Sequence, residues 1–463
     1  MLLVLALVGA LTPDASAFIR TNYRENGKAD RDLTVAGGKL AFEIERDGSY
    51  EITDGSDITA IRAAMAEIRR VPTSSADIVD AGSFDFPASI GARDGLTRDQ
   101  KNRIYFFTRH DAAMPAVAVT SVFYDPNTGQ IHEADISVNE ADYDYSTATY
   151  GSPDADVGPN TADIQETVTH ELMHALGIGH SAIAGCFDPA TGLQVAGFYT
   201  GDFSSHATMY PFSSGTIQGR SLAADDVAAL STAYPDGSQL GEISGRVIDG
   251  ATGRPLKGAH VVAVRAEAPD TPVVGTLSGI GQGLSGGEFR IAGLPPGNYY
   301  VRIEPLKATT NPYSEAFTPF GGFDTEFTPE FFSGELESPF DEAHAMGDAA
   351  MLAVDTAVQR GAEITIVTNT TPRAPRVDSA TFKGGKLKII GSDFLAGHTM
   401  LEVSGTEVEQ VKYPKKFMTS NGMASRMTSN DPSIGTMMGA GSSQLVVVNT
   451  LTGQRSIPVT VRQ

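Results

Sequence analysis

The chain has 463 residues, of which 41% are hydrophobic, so it is long enough for several folded domains and too apolar to be disordered throughout. Its 34 Lys and Arg residues are outnumbered by 56 Asp and Glu residues, and the formal charge of −22 excludes nucleic acid as a main partner. The single cysteine, Cys186, excludes an intrachain disulfide framework and a multi-cysteine metal site.

Residues 1–17 have the pattern of a secretory signal peptide. Residues 2–11 form an apolar run that is much shorter than the ~20 residues needed to span a bilayer. The small residues Ala15-Ser16-Ala17 favour cleavage after Ala17, although the absence of Lys or Arg before the run leaves a buried N-terminal strand as the alternative. No later run could cross a membrane. We therefore expect a secreted, extracellular protein, with cell-surface attachment left open, and residues 18–37 as a leader segment.

Residues 38–236 are predicted to form one α+β domain. Apolar residues at helical spacing predict a first helix through residue 68, with Asp57 as its N-terminal cap. Apolar and β-branched runs predict a strand at 103–107 and a β-hairpin at 116–124 and 131–138. A second helix is expected at 161–176, and a last helix follows Ser221. The core face of the second helix repeats every four residues, at Ile164, Val168, Leu172 and Leu176.

The segment from His170 to His180 contains residues suited to metal chemistry. His170 and His174 are one helical turn apart, so both imidazoles project from one face. Gly177 lets the chain reverse, and His180 can then return as a third nitrogen ligand. Three protein ligands leave a fourth zinc position open for water, from which Glu171 could remove a proton. Histidines that are merely buried and hydrogen-bonded are the alternative, but three at this spacing favour the metal site.

This segment resembles the signature HExxHxxGxxH of the metzincin metallopeptidases. The family's Met-containing turn is matched by Ala207-Thr208-Met209-Tyr210-Pro211, and the resemblance implies that Met209 lies beneath the metal as an apolar floor. Ser181 and the Met-Tyr-Pro sequence are similar to matrixins in particular. The resemblance covers residues 38–236. It implies a zincin-like α+β fold, substrate pairing along a strand within 116–124, and one catalytic zinc ion, with His170, His174 and His180 as ligands and Glu171 as general base.

Other residues near the motif depart from the family's pattern. No cysteine precedes Cys186, so a leader cysteine that blocks the zinc is excluded; Cys186 itself is expected to be a partly buried thiol rather than a metal contact. Proline at position 211 replaces the zinc-contacting tyrosine of related families, so Tyr210 is not assigned as a ligand. His132 stands alone in its stretch, which argues against a second zinc, and His206 is expected to be a loop residue.

Calcium is a further cofactor that the acidic composition leaves open. Solvated surface carboxylates are the default interpretation of the five candidates, which are Asp135, Asp142, Asp144, Asp154 and Asp156. Phe212 and Ser213 follow the Met-containing turn and are candidates for lining the pocket after the scissile bond.

Beyond residue 240 the sequence predicts two all-β domains. Residues 241–369, with an inserted loop at 306–340, resemble carboxypeptidase regulatory-like β-sandwich modules through phrases such as Gly293-Leu294-Pro295-Pro296-Gly297. Residues 374–463 resemble immunoglobulin-like IPT/TIG domains. The Met-rich stretch 414–443 is expected to be a loop, with a binding surface as the alternative. Such accessory domains could bind a surface or a substrate.

These observations predict a multidomain protein, an α+β metzincin (zincin-like) catalytic domain followed by two all-β sandwiches. The expected function is that of a secreted zinc-dependent endopeptidase that acts on protein or peptide substrates. The alternative is an adhesion or matrix-binding protein with an inactive metzincin-like domain. Loss of one histidine or of Glu171 would favour that alternative, and all four residues are present.

Overall fold

A computed structural model describes most of the chain. The residues described are 6–7, 22–23, 31–86, 98–112, 114–148, 161–185, 206–212, 217–250, 252–281, 284–305, 327–334, 349–355, 363–368, 375–395, 399–408, 410–418, 423–438, 441–450 and 455–462. Several sequence expectations lie outside these residues. They are the cleavage site after Ala17, most of the leader and of the 306–340 insertion, and Asp154, Asp156, Cys186 and Ser213.

The chain divides into two compact units. The first contains Met1–Arg246, Leu256–Phe332 and Ala349–Ile364, and the second contains Val247–Pro255, Ser333–Asp348 and Thr365–Gln463. Both are rich in β-sheet and carry some helices, so the expected multidomain architecture with β-sandwich sheets is present. No described helix is both long enough and apolar enough to cross a membrane, in agreement with the sequence.

The first part of unit 1 combines a seven-stranded sheet with α-helices. This part of the unit contains eleven described strands, of which β2 with β3 and β10 with β11 form separate two-stranded sheets. The strands β1–β11 are Ala6–Leu7, Asn22–Tyr23, Arg31–Asp32, Thr34–Val35, Lys39–Glu45, Asp77–Phe84, Asn102–Phe107, Ala118–Tyr124, Gln130–Asn139, Asp144–Ser146 and Thr161–Asp163. Its α-helices α1–α3 are Ser56–Arg69, Ile164–Ala175 and Ala224–Ala233, and short 3₁₀ turns lie at Ala36–Gly38 and Gln218–Arg220.

The seven-stranded sheet runs in the order β1-β8-β9-β7-β5-β6, with β4 also paired to β9. β6, β5, β7 and β9 are parallel to one another, whereas β8 is antiparallel to β9, from Ala118 opposite Val138 to Tyr124 opposite Ile131. The predicted strands at 103–107, 116–124 and 131–138 therefore correspond to β7, β8 and β9. The short strand Ala6–Leu7 lies parallel along the other edge of β8.

Helix α2 buries the face that the sequence predicts. Ile164, Val168, Leu172 and Leu176 are all fully buried and belong to one core with apolar residues of α1, β5 and β9. The helix begins at Ile164 rather than at residue 161, because residues 161–163 pair with β10 as a strand. His170 and His174 lie on the opposite face of α2.

The predicted capping role of Asp57 is wrong. Helix α1 starts one residue earlier, at Ser56, with Gly55 as its cap and no side-chain hydrogen bond there. The buried carboxylate of Asp57 instead accepts a hydrogen bond from the backbone N–H of Ser49 at 2.7 Å. A carboxylate in the first turn of a helix can thus accept a hydrogen bond from a neighbouring loop rather than from the N–H groups at the start of its own helix.

The remainder of unit 1 forms most of a β-sandwich. Its strands β12–β18 are Gly241–Ile248, His260–Arg265, Ala268–Leu277, Glu288–Leu294, Gly297–Glu304, Glu330–Phe331 and Leu352–Val354; β19, Glu363–Val367, follows in the chain. The ends of two of these strands, β12 and β19, belong to unit 2. One sheet has the order β14-β13-β16-β17, with β18 also paired to β16, and β12 pairs antiparallel with β15. Alternating inward residues fill its core, among them Val261, Ile291, Val301 and Ile303.

Unit 2 contains two antiparallel four-stranded sheets. Strands β20–β27 are Arg376–Lys383, Lys386–Leu395, Thr399–Val403, Thr406–Val408, Val411–Lys412, Met423–Ser429, Ser442–Asn449 and Val459–Arg462, with α4 at Ser433–Met438 and a 3₁₀ turn at Lys415–Phe417. The orders are β20-β21-β25-β24 and β23-β22-β26-β27. The expected loop at 414–443 is wrong for its described part: β25 and α4 lie there, and Met427 and Met438 are buried in the core. Met427 on β25 and Met438 on α4 are buried through strand pairing and helix packing, which the composition of the stretch does not reveal.

A buried carboxyl on β9 predicts how the stability of this sheet depends on pH. Asp135 is fully buried; burial and the neighbouring charge of Glu133 raise its pKa to about 8. Between the unfolded pKa near 4 and this value, the folded state holds a proton that the unfolded state releases, so the unfolding free energy falls as pH rises. We expect Asp135→Asn to flatten that fall between pH 5 and 8, by up to about 1.4 kcal/mol per pH unit.

Hydrogen exchange of the β9 amides, corrected for the intrinsic rate at each pH, measures this stability locally. Asp80→Asn is the control. Partial desolvation raises the pKa of Asp80, but hydrogen bonds from Gly82 and Arg62 outweigh it and leave the pKa below its usual value, so this carboxylate does not titrate in this window. Equal pH slopes for wild type and Asp135→Asn would contradict the prediction.

Candidate metal centre

Helix α2 is fixed at its start by a short polar network. The Asp163 side chain accepts a hydrogen bond from the backbone N–H of Glu166 at 2.8 Å, which caps the first turn. Arg220 donates from Nε to both carboxylate oxygens of Asp163 at 2.9 Å and from its terminal nitrogen to the carbonyl oxygens of Thr147 and Ala148. The helix that carries the first two histidines is therefore anchored.

The chain reverses directly after this helix, as the sequence predicts. Gly177 adopts φ +78°, and its N–H donates to the carbonyl oxygen of His174 at 2.9 Å. A Cβ atom at this position would lie 2.2 Å from the carbonyl oxygen of Leu33, so glycine alone fits both the left-handed backbone and the close neighbour. The reversal brings His180 back beside the helix.

Three imidazoles converge through their Nε2 atoms. The Nε2 atom of His174 lies 3.0 Å from that of His170 and 3.3 Å from that of His180. The far ring nitrogens of the first two rings are held: Nδ1 of His170 lies 2.7 Å from the carbonyl oxygen of Thr208, and Nδ1 of His174 lies 2.7 Å from that of Ile178. A carbonyl oxygen only accepts, so Nδ1 carries the proton and Nε2 presents a lone pair.

Burial keeps these imidazoles in the form that binds metals. Desolvation lowers the pKa of His174 to about 4. Desolvation first, and the neighbouring histidines second, lower the pKa values of His170 and His180 well below the usual range. All three rings are therefore neutral near pH 7, which is the state required of a histidine ligand.

This arrangement fits a zinc ion. Tetrahedral zinc with Zn–N bonds of about 2.0–2.1 Å places its nitrogen ligands roughly 3.3 Å apart, close to the two Nε2 separations here. Lone pairs at this distance repel one another unless a cation lies between them. Among the described residues, this triad alone brings three or more His, Cys, Asp or Glu side chains within ligating distance.

The side chain of Glu171 is buried next to the first histidine in the chain. Its Oε2 accepts a hydrogen bond from Thr120 Oγ1 at 2.5 Å, and the same hydroxyl lies 2.9 Å from the Glu171 carbonyl oxygen. The other oxygen, Oε1, is buried and has no hydrogen-bond partner in the described protein. Burial raises the pKa of Glu171 to about 8, and the Thr120 hydrogen bonds oppose that rise. Thr120 on β8 thus orients Oε2, and Oε1 is free to accept a hydrogen bond or a proton.

The turn around Met209 is hydrogen-bonded to the residue after His180 and to helix α3. Met209 is buried, and its carbonyl oxygen accepts the backbone N–H of Ser181 at 2.8 Å. Asp226 on α3 accepts the backbone N–H groups of Thr208 at 2.7 Å and Met209 at 3.0 Å. The sequence points to Met209 but not to Thr120 or Asp226, because their roles depend on contacts between distant parts of the chain.

The other candidate residues lie apart from this cluster. His206 is buried, packs edge-on against Tyr210 with ring centroids 5.1 Å apart, and does not belong to the triad. His132 is exposed. None of the described calcium candidates forms a group of three acidic side chains: Asp135 is buried against Arg103, Asp142 pairs with His110, and Asp144 is exposed. Phe212 is buried beside Tyr210.

Comparison with known proteins identifies one part of the chain. Residues 242–315 match the model of the carboxypeptidase regulatory-like domain family, which confirms the nature of the β-sandwich in that region. The chain resembles the crystal structure of BcpA, the major pilin subunit of Bacillus cereus, at 11% identity and a TM-score of 0.17, over 48% of this chain and 69% of that one. It resembles metalloproteinase-II from Bacteroides fragilis at 17% identity and a TM-score of 0.23, over 43% and 54%. No curated protein matches.

Proposed function

We propose that this chain is a secreted zinc-dependent endopeptidase of the metzincin type, most similar to matrixins. The observation that carries the proposal is the convergence of three neutral imidazoles beside a buried carboxyl group that has one unpartnered oxygen. A structural zinc site would need a fourth protein ligand, whereas three ligands leave a position for water. His170, His174 and His180 would hold the ion.

Bound zinc supplies a Lewis acid that activates water and polarises the scissile carbonyl group. Glu171 takes the proton from the attacking water through its free oxygen and later delivers it to the departing amine. A carboxyl group can serve both transfers, since the proton that it takes from water is the one that the amine then needs. Thr120 keeps the carboxyl group oriented by binding its other oxygen.

Strand β8 offers a template for an extended substrate. One edge of β8 is paired with β9, and the other is paired only with the short strand Ala6–Leu7 among the described residues. Cleavage of the proposed signal peptide after Ala17 would remove that short strand and free the edge. An extended peptide could then pair with β8 through main-chain hydrogen bonds, above the residue that orients Glu171.

Hydrolysis of casein or gelatin by the full chain, with and without a chelator, tests this proposal. We expect hydrolysis that the chelator abolishes and added zinc restores, because without the ion neither the water nor the scissile carbonyl group is activated. Zinc bound at one equivalent without chelator-sensitive hydrolysis would favour the alternative, a surface- or matrix-binding protein with an inactive peptidase domain. The β-sandwich regions could serve attachment in either case.

A further inference from the structure

A single carboxylate lies between the metal centre and the β-sandwich of the same unit. Asp225, at the start of α3, is 2% exposed. Its Oδ2 accepts a hydrogen bond from Ser181 Oγ at 2.6 Å, and its Oδ1 accepts one from the backbone N–H of Gly275 at 2.9 Å. Ser181 directly follows the ligand His180, and Gly275 lies in β14 of the sandwich. One buried group therefore joins the third ligand to the regulatory-like domain.

Ser181 is held on several sides by this arrangement. Its hydroxyl donates to Asp225 and accepts the backbone N–H of Ile183 at 3.1 Å. Its own backbone N–H donates to the Met209 carbonyl oxygen at 2.8 Å. The residue next to His180 is thus fixed by the turn under the metal centre and by a carboxylate that the sandwich helps to satisfy.

The sandwich backbone packs against these residues without space for another methyl group. A Cβ atom at Gly275 would lie 2.6 Å from His260 Nε2 and 3.2 Å from Ile183 Cγ1. A Cβ atom at Gly293, which has φ +77°, would lie within 2.9 Å of the backbone and side chain of Ala228 on α3. Contacts this close are typical of a packed interior rather than of domains joined only by a linker.

A buried hydrogen-bonded pair of side chains lies on the sandwich side of the same interface. His260, next to Gly275, places Nδ1 2.7 Å from Glu304 Oε1, and the two side chains are 0% and 1% exposed. Buried groups of this kind keep their geometry only when the surrounding packing is intact. The sandwich surface beside Ile183 is therefore closely packed.

We propose that the carboxypeptidase regulatory-like sandwich is an integral part of the metal-centre scaffold, and that Asp225 is the positioning residue that couples it to His180. Without the N–H of Gly275, the buried carboxylate would lose one of its two hydrogen bonds and would hold Ser181 less firmly. Groups that orient a metal ligand change metal affinity by about 10–100-fold when they are removed. The sandwich thereby acts on the zinc site without contacting the ion. This proposal rests on zinc binding by the triad, which is part of the proposed function, but not on peptide hydrolysis.

Two variants of the full chain, one on each side of the interface, test the coupling. Asp225→Asn keeps the shape of the side chain but removes its charge, and Gly275→Ala adds one methyl group without altering any residue of the metal-binding region. The zinc dissociation constant is measured by competition with a chromophoric chelator, and the absorption spectrum of the cobalt-substituted protein reports ligand geometry. We expect both variants to raise the dissociation constant about tenfold or more and to change the cobalt spectrum. Where hydrolysis is measurable, kcat should fall with KM unchanged.

Two controls separate coupling from a general loss of stability. Ser231→Ala removes a buried hydroxyl from the same helix, where it donates to the Val227 carbonyl oxygen, and Gly435→Ala adds a methyl group where the nearest atom is 4.0 Å away. Both should keep the wild-type zinc affinity and cobalt spectrum. Wild-type affinity in both Asp225→Asn and Gly275→Ala would overturn the proposal, as would an equal loss in Ser231→Ala. A wild-type protein that binds zinc but hydrolyses nothing would refute the peptidase function and leave the affinity comparison decisive.

Discussion

Replacement of Glu171 by glutamine is expected to lower kcat for peptide hydrolysis by about 10²–10⁴-fold while the protein retains one equivalent of zinc. Glutamine preserves the size of the side chain and can still accept the hydrogen bond from Thr120, so the packing around α2 should survive. It cannot accept a proton from water, and general-base catalysis is lost. Steady-state kinetics on a fluorogenic peptide, together with zinc analysis of the purified variant, measure the two parts of the prediction.

Glu166→Gln provides a matched control for this substitution. Glu166 is a buried glutamate in the first turn of the same helix and does not belong to the metal-binding group. The same chemical change there should leave kcat within a few-fold of wild type. If Glu171→Gln hydrolysed the peptide at the wild-type rate, the proton-transfer role would have to be assigned elsewhere.

The convergence of the three histidines follows from the sequence because their geometry is local. His170 and His174 share a face through helical spacing alone, and Gly177 signals the reversal that returns His180, since a left-handed backbone at a helix end favours glycine. The structure agrees at each of these points, with Nε2 separations of 3.0 and 3.3 Å. Helical spacing and the backbone sterics of Gly177 were sufficient to predict that the three rings meet, whereas their role as metal ligands stays a prediction.

The supporting residues could not be predicted in the same way. Thr120 contacts Glu171 across 51 positions of sequence, and Asp226 reaches Met209 across 17, so nothing in their own surroundings indicates those roles. In a sequence, Asp225 and Asp226 at the start of a helix have the pattern of first-turn acids that stabilise a helix dipole. Their burial and their partners depend on tertiary packing, as does the capture of Asp57 by a loop. Met427 of β25 was assigned to a loop for the same reason, because its burial depends on strand pairing within unit 2.

Replacement of His174 by alanine is expected to abolish zinc binding under conditions in which the wild type is saturated. His174 is the central member of the proposed ligand triad, since its Nε2 lies within 3.3 Å of both other Nε2 atoms. Structural zinc sites hold their ion with about 10–16 kcal/mol divided among four ligands, and a similar share per ligand here means that removal of one of three should weaken binding roughly 10³-fold or more. Hydrolysis should become undetectable, and zinc should no longer raise the unfolding temperature, because a ligand stabilises a fold only in proportion to its binding.

His206→Ala separates the loss of a ligand from the loss of a buried imidazole. His206 is 7% exposed and packs on Tyr210, but it lies outside the triad, so its removal should cost stability and leave one equivalent of zinc bound. Zinc titrations followed by thermal unfolding distinguish the two variants directly. If His174→Ala kept a zinc-dependent shift in unfolding temperature equal to that of the wild type, the ion would be bound by other residues and the three-histidine site would be wrong. If His206→Ala instead lost the ion, the site would require a fourth imidazole, and the open position for water would no longer follow from the ligand count.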